Sequence, residues 1–335
     1  MTDCHLHIAG FSDDAADVER QFGVAAAPLP RLLARADRAP LPALNNQALA
    51  LHGVLSERAS GVAPVMLAGE DGAFDHAGIW MCATPAHLRI EQDRLVLVDA
   101  RQLALGRDEA EALLTTLNAH FADDGIAFVA PSPDRWYAHL QHAPAMTTTP
   151  LDDVIGRDIH PHLPKGADAL LWHRRYNEVQ MLLHAHPVNA AREARGLPVV
   201  NSLWWWGEGS AAPVQRRFAS ISADDVLVRG LARLSATPLR SLPADAAAWL
   251  AALEPGGEHY LYLDALALAW AYRDFGAWNA ARAHLEHTWL DPLFAALKDK
   301  RITRLTIDAL TPARGTRMTL SRLQLWRFWR DWQRA

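Results

Sequence analysis

Predicted strands and helices alternate along most of this chain, and that order restricts the fold more than any single motif does. Short apolar segments bounded by turn residues predict strands at residues 4–9, 64–68, 199–206, 260–263 and 302–307. Helical patterns are expected at residues 29–36, 44–55, 168–184, 187–195, 224–234 and, as one or two helices, 266–297. Ser222 is the expected N-cap of the helix at 224–234. The alternation predicts an α/β fold with a mostly parallel sheet and helices on both faces.

One stretch has a different order of elements and predicts a smaller domain. Two strands, a helix and two further strands are expected at residues 78–99, 108–123, 126–130 and 135–140. The helix is the clearest of these, since apolar residues recur on one of its faces. Residues 144–164, rich in Thr, Pro, Asp and His, are expected to lead back to the larger domain. We therefore predict a core of residues 1–78 and 164–335 with an inserted α+β domain of residues 79–163.

The charge balance argues against a nucleic-acid-binding role. The 335 residues carry a net charge of -5, and the 33 basic residues are dispersed along the chain. No long-range attraction to a phosphate backbone is expected from such a surface. An acidic or phosphorylated small molecule held by a few local arginines, or a protein partner, is compatible with the sequence.

Cysteine usage and hydropathy predict a cytoplasmic protein. Cys4 and Cys82 are too few for a disulfide framework or a cysteine-rich zinc site. The first residues lack the basic region, apolar stretch and cleavage site of a secretory signal. The longest apolar stretch, residues 261–272, is interrupted by Asp264 and is shorter than the roughly 20 residues of a membrane span. We expect no membrane span.

A dense group of polar residues marks the candidate ligand-binding region. Its members are His173, Asn177, Gln180, His184, His186, Asn189, Arg192, Arg195, Asn201, Gly207, Glu208 and Gly209. The first four share one helical stripe, and the last three form a predicted loop at the carboxyl end of a strand, where open α/β sheets bind ligands. Two interpretations stay open: a surface whose arginines pair with a carboxylate or phosphate, or a set of helix caps and loop contacts.

Three histidine pairs are candidate metal ligands. The His-x-His pattern occurs at His5/His7, His160/His162 and His184/His186, and on a strand such residues share a face. The pattern alone does not supply a ligand set, and the sequence predicts neither a metal nor another cofactor. No catalytic residue is predicted, and no G-x-S-x-G elbow is present.

Two aromatic segments allow alternative interpretations. The tryptophans at 204–206 favour core packing over a stacking platform, because alternate side chains of a strand face opposite layers. The C-terminal Trp/Arg segment, residues 322–335, has the composition of a membrane-surface or partner-binding element, or of a final element docked on the core with its arginines outward.

These motifs resemble those of a known family, the RpfE-type regulatory proteins, often labelled phosphoglycerate-mutase-like. The resemblance is carried by His186-Pro-Val-Asn189-x-x-Arg192, Gly196 and Val200-Asn201-Ser-Leu-Trp204-Trp-Trp-Gly207-Glu-Gly209. It extends through segments 86–99, 118–121, 135–137, 147–150, 177–181, 260–264 and 325–330, and so covers most of the chain.

More distantly, the order of elements is similar to archaeal-type cofactor-independent phosphoglycerate mutases of the alkaline phosphatase superfamily. This resemblance implies an alkaline-phosphatase-like core with a smaller inserted domain. It also implies two divalent metals and a serine nucleophile that carries the phosphoryl group, with the metals neutralising developing charge.

The sequence departs from the mutase pattern at the expected metal ligands. Ala9-Gly10 stands where an Asp-Gly turn is expected, and Asp13 alone could match the second aspartate. The residues after Asp264 are apolar instead of Asp and His ligands, and Asp308 is followed by Ala309 instead of histidine. In the inserted domain, Cys82-Ala-Thr replaces an expected arginine and asparagine.

Three functional hypotheses follow. The leading one is a regulatory or ligand-binding pseudoenzyme that lacks the two-metal site. The first alternative is an active mutase or phosphotransferase with a rearranged site that uses His173, His184, His186 and Asp264. The second is a protein-interaction module that uses the C-terminal Trp/Arg segment.

Overall fold

The computed structural model describes residues 2–25, 31–41, 61–72 and 74–327. The chain forms two compact units, the first of residues 1–52 and 215–335 and the second of residues 53–214. The predicted helix at 44–55 and the last eight residues of the C-terminal Trp/Arg segment lie outside the described residues.

The first unit is built on a seven-stranded sheet. Its strands are β1 (Thr2–Ala9), β2 (Asp37–Leu41), β10 (Ser220–Ser222), β11 (Leu239–Arg240), β12 (Gly257–Leu263), β13 (Arg304–Leu310) and β14 (Gly315–Ser321). Their order in the sheet is β11-β10-β12-β1-β13-β14-β2. The strands from β11 to β13 are parallel, whereas β14 is antiparallel to both of its neighbours. The predicted α/β class with a mostly parallel sheet is confirmed.

Helices follow the strands of this unit. They are α1 (Ala15–Phe22), α2 (Arg31–Ala34), α7 (Val226–Leu234), α8 (Ala246–Ala252), α9 (Ala267–Ala271), α10 (Phe275–Leu285) and α11 (Asp291–Lys298), with a π-helical turn at Glu286–Leu290 and a 3-10 turn at Gln324–Trp326. The predicted N-cap of α7 is wrong: Ser222 ends β10, and Asp225 caps the helix by accepting a hydrogen bond from the Val228 N–H at 3.0 Å.

The two faces of the seven-stranded sheet differ in polarity. Alternate residues of β1, including Leu6 and Ile8, lie in an apolar core with Trp249 and Trp278 from α8 and α10. The intervening residues His5 and His7 lie on the other face, where ionisable side chains of β12, β13 and β14 meet them. The apolar face contributes the hydrophobic driving force, and the polar face carries the charged groups described below.

The second unit contains a five-stranded antiparallel sheet. Its strands are β3 (Ile79–Glu91), β4 (Arg94–Asp99), β5 (Ile126–Ser132), β6 (Arg135–Leu140) and β9 (Ser202–Gly209), and β7 (Met146–Thr147) pairs separately with β8 (Lys165–Gly166). Its helices are α3 (Val62–Gly69), α4 (Arg107–Phe121), α5 (Ala169–His184) and α6 (Pro187–Ala194), with 3-10 turns at Ala100–Gln102, Leu151–Asp153 and His160–His162. The predicted β-β-α-β-β order of β3 to β6 is confirmed.

Three sequence predictions in this unit differ from the structure. Residues 64–68, predicted as a strand, lie in α3, most of whose apolar residues are buried. Residues 207–209, predicted as a loop beyond a parallel strand, belong to β9 itself. Because β9 pairs with β3 in one antiparallel sheet, the second unit also extends beyond the predicted insertion at 79–163.

Gly10 closes the carboxyl end of β1 against a neighbouring loop. Its φ is +77°, and a Cβ atom built there would lie 2.6 Å from the carbonyl carbon of Leu266. The Gly10 N–H donates to the Leu310 carbonyl at 2.7 Å, and its own carbonyl accepts from Trp278 Nε1 at 2.8 Å. The backbone after β12 therefore packs directly on the turn after β1.

We predict that Gly10→Ala destabilises the protein more than Gly23→Ala does. Gly23 has a φ of +71° but has no atom within 4 Å of a built Cβ, so it isolates the backbone cost of about 1–2 kcal/mol. Gly10→Ala adds steric displacement, which costs about 1–3 kcal/mol more. Urea unfolding of both variants measures the difference, and equal losses would contradict this account of Gly10.

Candidate functional site

The polar stripe predicted on α5 lies at the surface of its helix. Asn177 and His184 are exposed, and His173 and Gln180 are half-buried. His173 Nε2 lies 3.1 Å from the carbonyl oxygen of Pro164, which ties the helix to the preceding loop. The buried side of α5 is formed by Trp172, Tyr176, Val179 and Leu183. The stripe is therefore not a polar surface enclosed within the core.

The side-chain amides of Asn189 and Asn201 form hydrogen bonds with the backbone. Asn189 Nδ2 donates to the carbonyls of Leu183 and Val200, each at 2.7 Å, and its Oδ1 accepts from the Val200 N–H at 3.0 Å. Asn201 accepts from the N–H of Leu88 at 2.7 Å and donates to its carbonyl at 3.0 Å. Both side chains satisfy backbone groups that would otherwise be buried without partners. These contacts favour the structural interpretation of the two asparagines.

Arg192 is completely buried and held by protein acceptors. Its Nε donates to the Pro198 carbonyl at 2.8 Å, its Nη1 to Glu109 Oε2 at 2.5 Å and its Nη2 to the Leu103 carbonyl. Arg195 pairs with the other oxygen of Glu109. Burial opposes ionisation of Glu109, but the Gly106 N–H and the two guanidinium groups outweigh it and lower the pKa of this carboxyl. Arg192 thus joins α4, α6 and the loops around them.

His186 and the residues at the end of β9 also form hydrogen bonds with other protein groups. His186 Nδ1 accepts from the Val188 N–H at 3.2 Å, and burial lowers the pKa of its imidazole. Thr148 donates its hydroxyl to Glu208 and accepts from the Gly207 N–H at 3.2 Å. Burial raises the pKa of Glu208. A Cβ on Gly61 would lie 2.6 Å from the Gly209 carbonyl carbon, so this end of β9 packs closely against the residue before α3.

The tryptophans of β9 lie in the core, as predicted. Trp204 and Trp205 are fully buried, and the Trp205 ring lies 5.1 Å from that of Trp172 in an edge-to-face arrangement. Trp206 donates its Nε1 hydrogen to Thr84 Oγ1 at 3.0 Å. This arrangement is packing and offers no exposed aromatic platform.

A line of alternating charges crosses the polar face of the parallel sheet. His5 Nε2 lies 2.8 Å from Asp308 Oδ2, and His5 Nδ1 lies 3.1 Å from Glu258 Oε1. Arg317 adds a two-pronged ion pair, with its Nε and Nη2 each 2.7 Å from an oxygen of Asp308. The neighbouring strands β12, β1, β13 and β14 supply one member each. We define this set as the His5–Asp308 cluster: Glu258, His5, Asp308 and Arg317.

The cluster requires a protonated histidine. Each nitrogen of the His5 ring faces a carboxylate oxygen, and only an imidazolium can donate to both. Burial disfavours the charged ring, but the hydrogen bonds to Asp308 and Glu258 prevail and raise the pKa of His5. Burial also opposes ionisation of Asp308, yet Arg317 and His5 hold the pKa of that carboxyl well below its usual range. The sequence pattern marked His5 and His7 as metal candidates and missed these partners.

Acidic residues at the carboxyl end of β1 are also matched by arginines. Asp13 lies 3.2 Å from Arg38 Nε and 3.8 Å from Arg314 Nη2. Arg314 forms a closer ion pair with Asp14, which caps α1. These pairs occupy the edge of the sheet at which open α/β folds bind ligands.

A second acidic residue at this edge is held by hydroxyl groups. The buried carboxylate of Asp17 accepts from Ser12 Oγ at 2.9 Å and from Thr311 Oγ1 at 3.4 Å. The exposed Arg20 lies 3.2 Å from its other oxygen. Asp17 therefore joins the turn after β1 to the turn after β13.

The residues of this edge do not fit a two-metal centre. Asp13 and Asp308 face guanidinium groups, and Asp264 is exposed. Within residues 2–25, 31–41, 61–72 and 74–327, no three His, Cys, Asp or Glu side chains are arranged to hold a metal ion. Two divalent cations each need several such oxygen or nitrogen ligands.

The remaining His-x-His pairs do not complete a ligand set in the described parts of the chain. His160 Nδ1 lies 2.8 Å from Asp158 Oδ1 at an exposed turn, so an Asp-x-His pair adjoins His162. His162 lies in the same turn, and burial together with Arg157 and Lys165 lowers the pKa of its ring. Within residues 2–25, 31–41, 61–72 and 74–327, no group of three His, Cys, Asp or Glu side chains that could hold a metal forms around these histidines.

Comparisons with known proteins support a distant relationship to phosphoglycerate mutases. The chain is 33% identical over 135 residues to the 2,3-bisphosphoglycerate-independent phosphoglycerate mutase of Methanosarcina mazei, a match that spans 37% of this chain and 33% of the relative. It is 32% identical over 148 residues to the probable mutase of Geobacter sulfurreducens, across 41% of this chain and 36% of the relative. The matches therefore span about a third of the length of these curated relatives. No protein-family model matches the chain.

The fold of one solved structure agrees with the fold assignment. The PH0037 protein from Pyrococcus horikoshii superimposes with a TM-score of 0.54 at 14% identity, covering 95% of this chain and 87% of the other. The cofactor-independent phosphoglycerate mutase from Thermoplasma acidophilum gives a TM-score of 0.43 at 14% identity, over 96% and 90% of the two chains. No helix within the described residues is long and apolar enough to cross a membrane.

We predict that Arg192→Ala unfolds the protein more readily than Arg195→Ala does. Arg192 is buried, so its loss leaves the Leu103 and Pro198 carbonyls and one Glu109 oxygen without their donor, at a cost of about 3–5 kcal/mol. Arg195 is 55% exposed, and removing it costs below about 1 kcal/mol. Chemical denaturation compares the two; a stable Arg192→Ala protein would reopen its interpretation as a ligand-binding residue.

We also predict a pH dependence that originates in the His5–Asp308 cluster. Because the pKa of His5 is raised on folding, its contribution is complete below about pH 6.5 and is lost as pH rises through the folded-state pKa. Because the pKa of Asp308 is lowered, its contribution is present above about pH 3.9 and is lost as pH falls through its folded-state pKa.

The variant His5→Gln tests the alkaline part of this profile. We expect the variant to lose about 3 kcal/mol near pH 6, and expect that deficit to shrink as pH rises, because wild-type His5 then loses its charge. The free energy of unfolding measured from pH 5 to pH 10 provides the comparison, with the exposed His184→Gln as the matched control. A deficit independent of pH would show that His5 is not bound as an imidazolium.

Proposed function

We propose that the protein is a regulatory pseudoenzyme on a cofactor-independent phosphoglycerate-mutase-like scaffold, with a role of the RpfE type. Its distant homology to the mutases supports the scaffold. The sequence departures at Ala9, at residues 265–270 and at Ala309 support the loss of the metal chemistry.

The pairing of carboxylates with arginines carries this proposal. Asp308 is the residue that resembles the aspartate of the expected Asp-His pair. Its carboxylate accepts hydrogen bonds from two nitrogens of Arg317 and from one nitrogen of His5. Asp13, which resembles the second expected aspartate of the first strand, lies next to Arg38 and Arg314. A guanidinium neutralises a carboxylate permanently, since it does not lose its proton in proteins. Metal binding there would have to displace these cations.

The close packing at Gly10 independently supports the loss of the metal site. The backbone of Leu266 and Ala267, in the segment that resembles the ligand-bearing loop of the mutases, lies against Gly10. Ala265 to Trp270 offer no carboxylate or imidazole side chain. An ion at this position would require both loops to move apart.

The candidate residues give little support to binding of an acidic or phosphorylated small molecule. Arg192 and Asn189 already bind protein groups, whereas the exposed Asn177 and His184 lack the enclosure that ligand sites provide. The alternative of a rearranged phosphotransferase site gains no support from His186, which caps α6. Regulation through contacts with another macromolecule fits these observations better.

Metal content and turnover test the proposal together. Protein purified without chelators is analysed for bound metals, then assayed with manganese as a phosphoglycerate mutase and as a phosphatase. The Methanosarcina mazei mutase, handled identically, is the positive control. We expect far less than one metal ion per chain and no turnover. Stoichiometric metal with turnover would overturn the proposal, and thermal shift with 3-phosphoglycerate reports separately on ligand binding.

A further inference from the structure

Three large apolar side chains of one helix are exposed to solvent. Leu170, Leu171 and Met181 of α5 are 65%, 44% and 68% exposed. They lie outside the buried stripe of the helix, which contains Trp172 and Tyr176. Exposed apolar side chains that occur together on one element, unlike those scattered singly, mark a surface that another molecule contacts.

The inner side of α5 is fixed to the rest of the second unit. Arg175 Nη2 donates to Asp124 Oδ1 at 3.3 Å, and the Arg175 guanidinium lies 4.7 Å from the centroid of the Trp172 ring. The Tyr176 hydroxyl accepts from the Trp205 N–H at 3.3 Å. These contacts hold the helix in place, so its outer side is a defined surface on a packed base.

The outer side of α5 combines two apolar positions with two opposite charges. Four residues spaced by three, four and three positions share one face of the helix: Leu171, Arg174, Glu178 and Met181. We call these four residues the Leu171–Met181 stripe. Arg174 is exposed, and the Glu178 side chain is 41% exposed, with its Oε2 3.6 Å from His120 Nε2. Along the chain the stripe therefore has the order apolar, cation, anion, apolar.

This order is complementary to its own reverse. When two copies of α5 pack antiparallel about a two-fold axis, each position meets the one equally far from the centre of the stripe. Leu171 of one copy then meets Met181 of the second copy, and Arg174 meets Glu178. A parallel arrangement would place Arg174 beside Arg174 and Glu178 beside Glu178, and like charges repel. The charges of the stripe therefore match a second, antiparallel copy of the same helix.

We propose that the Leu171–Met181 stripe is the contact surface of a homodimer in which the α5 helices of two copies pack antiparallel. Burial of Leu171 and Met181 supplies the apolar contact, and the two Arg174–Glu178 pairs set the direction and the register of the helices. An unrelated partner would need both charges and both apolar positions in the reverse order, which a second copy provides by symmetry. The contact is small, so we expect a dimer that dissociates on dilution.

Sedimentation equilibrium of the full chain over a range of protein concentrations tests the dimer. We expect the average mass to rise from that of one chain towards twice that value as the concentration increases. Arg174→Glu should raise the dissociation constant about tenfold or more, because the two copies then present like charges to each other. The double variant Arg174→Glu/Glu178→Arg should return it close to the wild-type value, since reversing both charges restores two opposite pairs. Met181→Ser, which leaves the charges in place, should also weaken the dimer.

Arg94→Glu is the matched control, because Arg94 is 65% exposed on β4 and its replacement changes the net charge of the chain by the same amount. It should dimerise like the wild type, and circular dichroism should show that every variant is folded. A monomer at every concentration, a dimer unaffected by Arg174→Glu, or a double variant that dimerises no better than Arg174→Glu would each overturn the proposal. These measurements involve neither metal nor substrate, so their outcome is separate from the test of the pseudoenzyme proposal.

Discussion

The ion pair between Arg317 and Asp308 is the interaction on which the polar face of the first unit depends. Asp308 is 1% exposed, and a carboxylate in that position is stable only with close cationic partners. Arg317 supplies two hydrogen bonds and leaves one oxygen to share with His5. His5 in turn pairs with Glu258, so the four charges alternate and sum to zero. Removing His5 would leave Glu258 without its partner in the cluster, and removing Asp308 would do the same to Arg317.

Carboxylates at the carboxyl edge of the sheet are also paired with arginines. In an open α/β fold the carboxyl ends of parallel strands leave a crevice in which ligands bind. Here the ion pairs of Asp13 with Arg38 and Arg314 occupy that edge, and Gly10 allows the loop after β12 to approach it closely. In this distant relative of the mutases, the region is thus stabilised by the chain's own side chains. Under the proposed function, the pairing of these carboxylates with guanidinium groups is the physical basis for the absence of metal-dependent catalysis.

Elements with strong local signals were predictable from the sequence. The helix at 168–184 and its successor after Pro187 match α5 and α6, because amphipathic spacing and a proline act locally. Residues 64–68 were assigned to a strand because a short apolar run does not distinguish a buried strand from a buried helix. The antiparallel pairing of β9 with β3 depends on a partner more than a hundred residues away, which no local pattern reveals.

The candidate site was harder to predict for the same reason. His5 and Asp308 are separated by 303 positions in the sequence, so a histidine pair on β1 gave no sign of its acidic partners. The cluster at 173–209 was visible because its residues are close in sequence, yet Arg192 and Asn189 bind the backbone and Glu109. A crystal of the protein soaked in manganese tests the central claim directly. Anomalous scattering at the manganese edge should show no peak beside Asp13 or Asp308, with Arg317 still paired; a strong peak bound by either carboxylate would contradict the account.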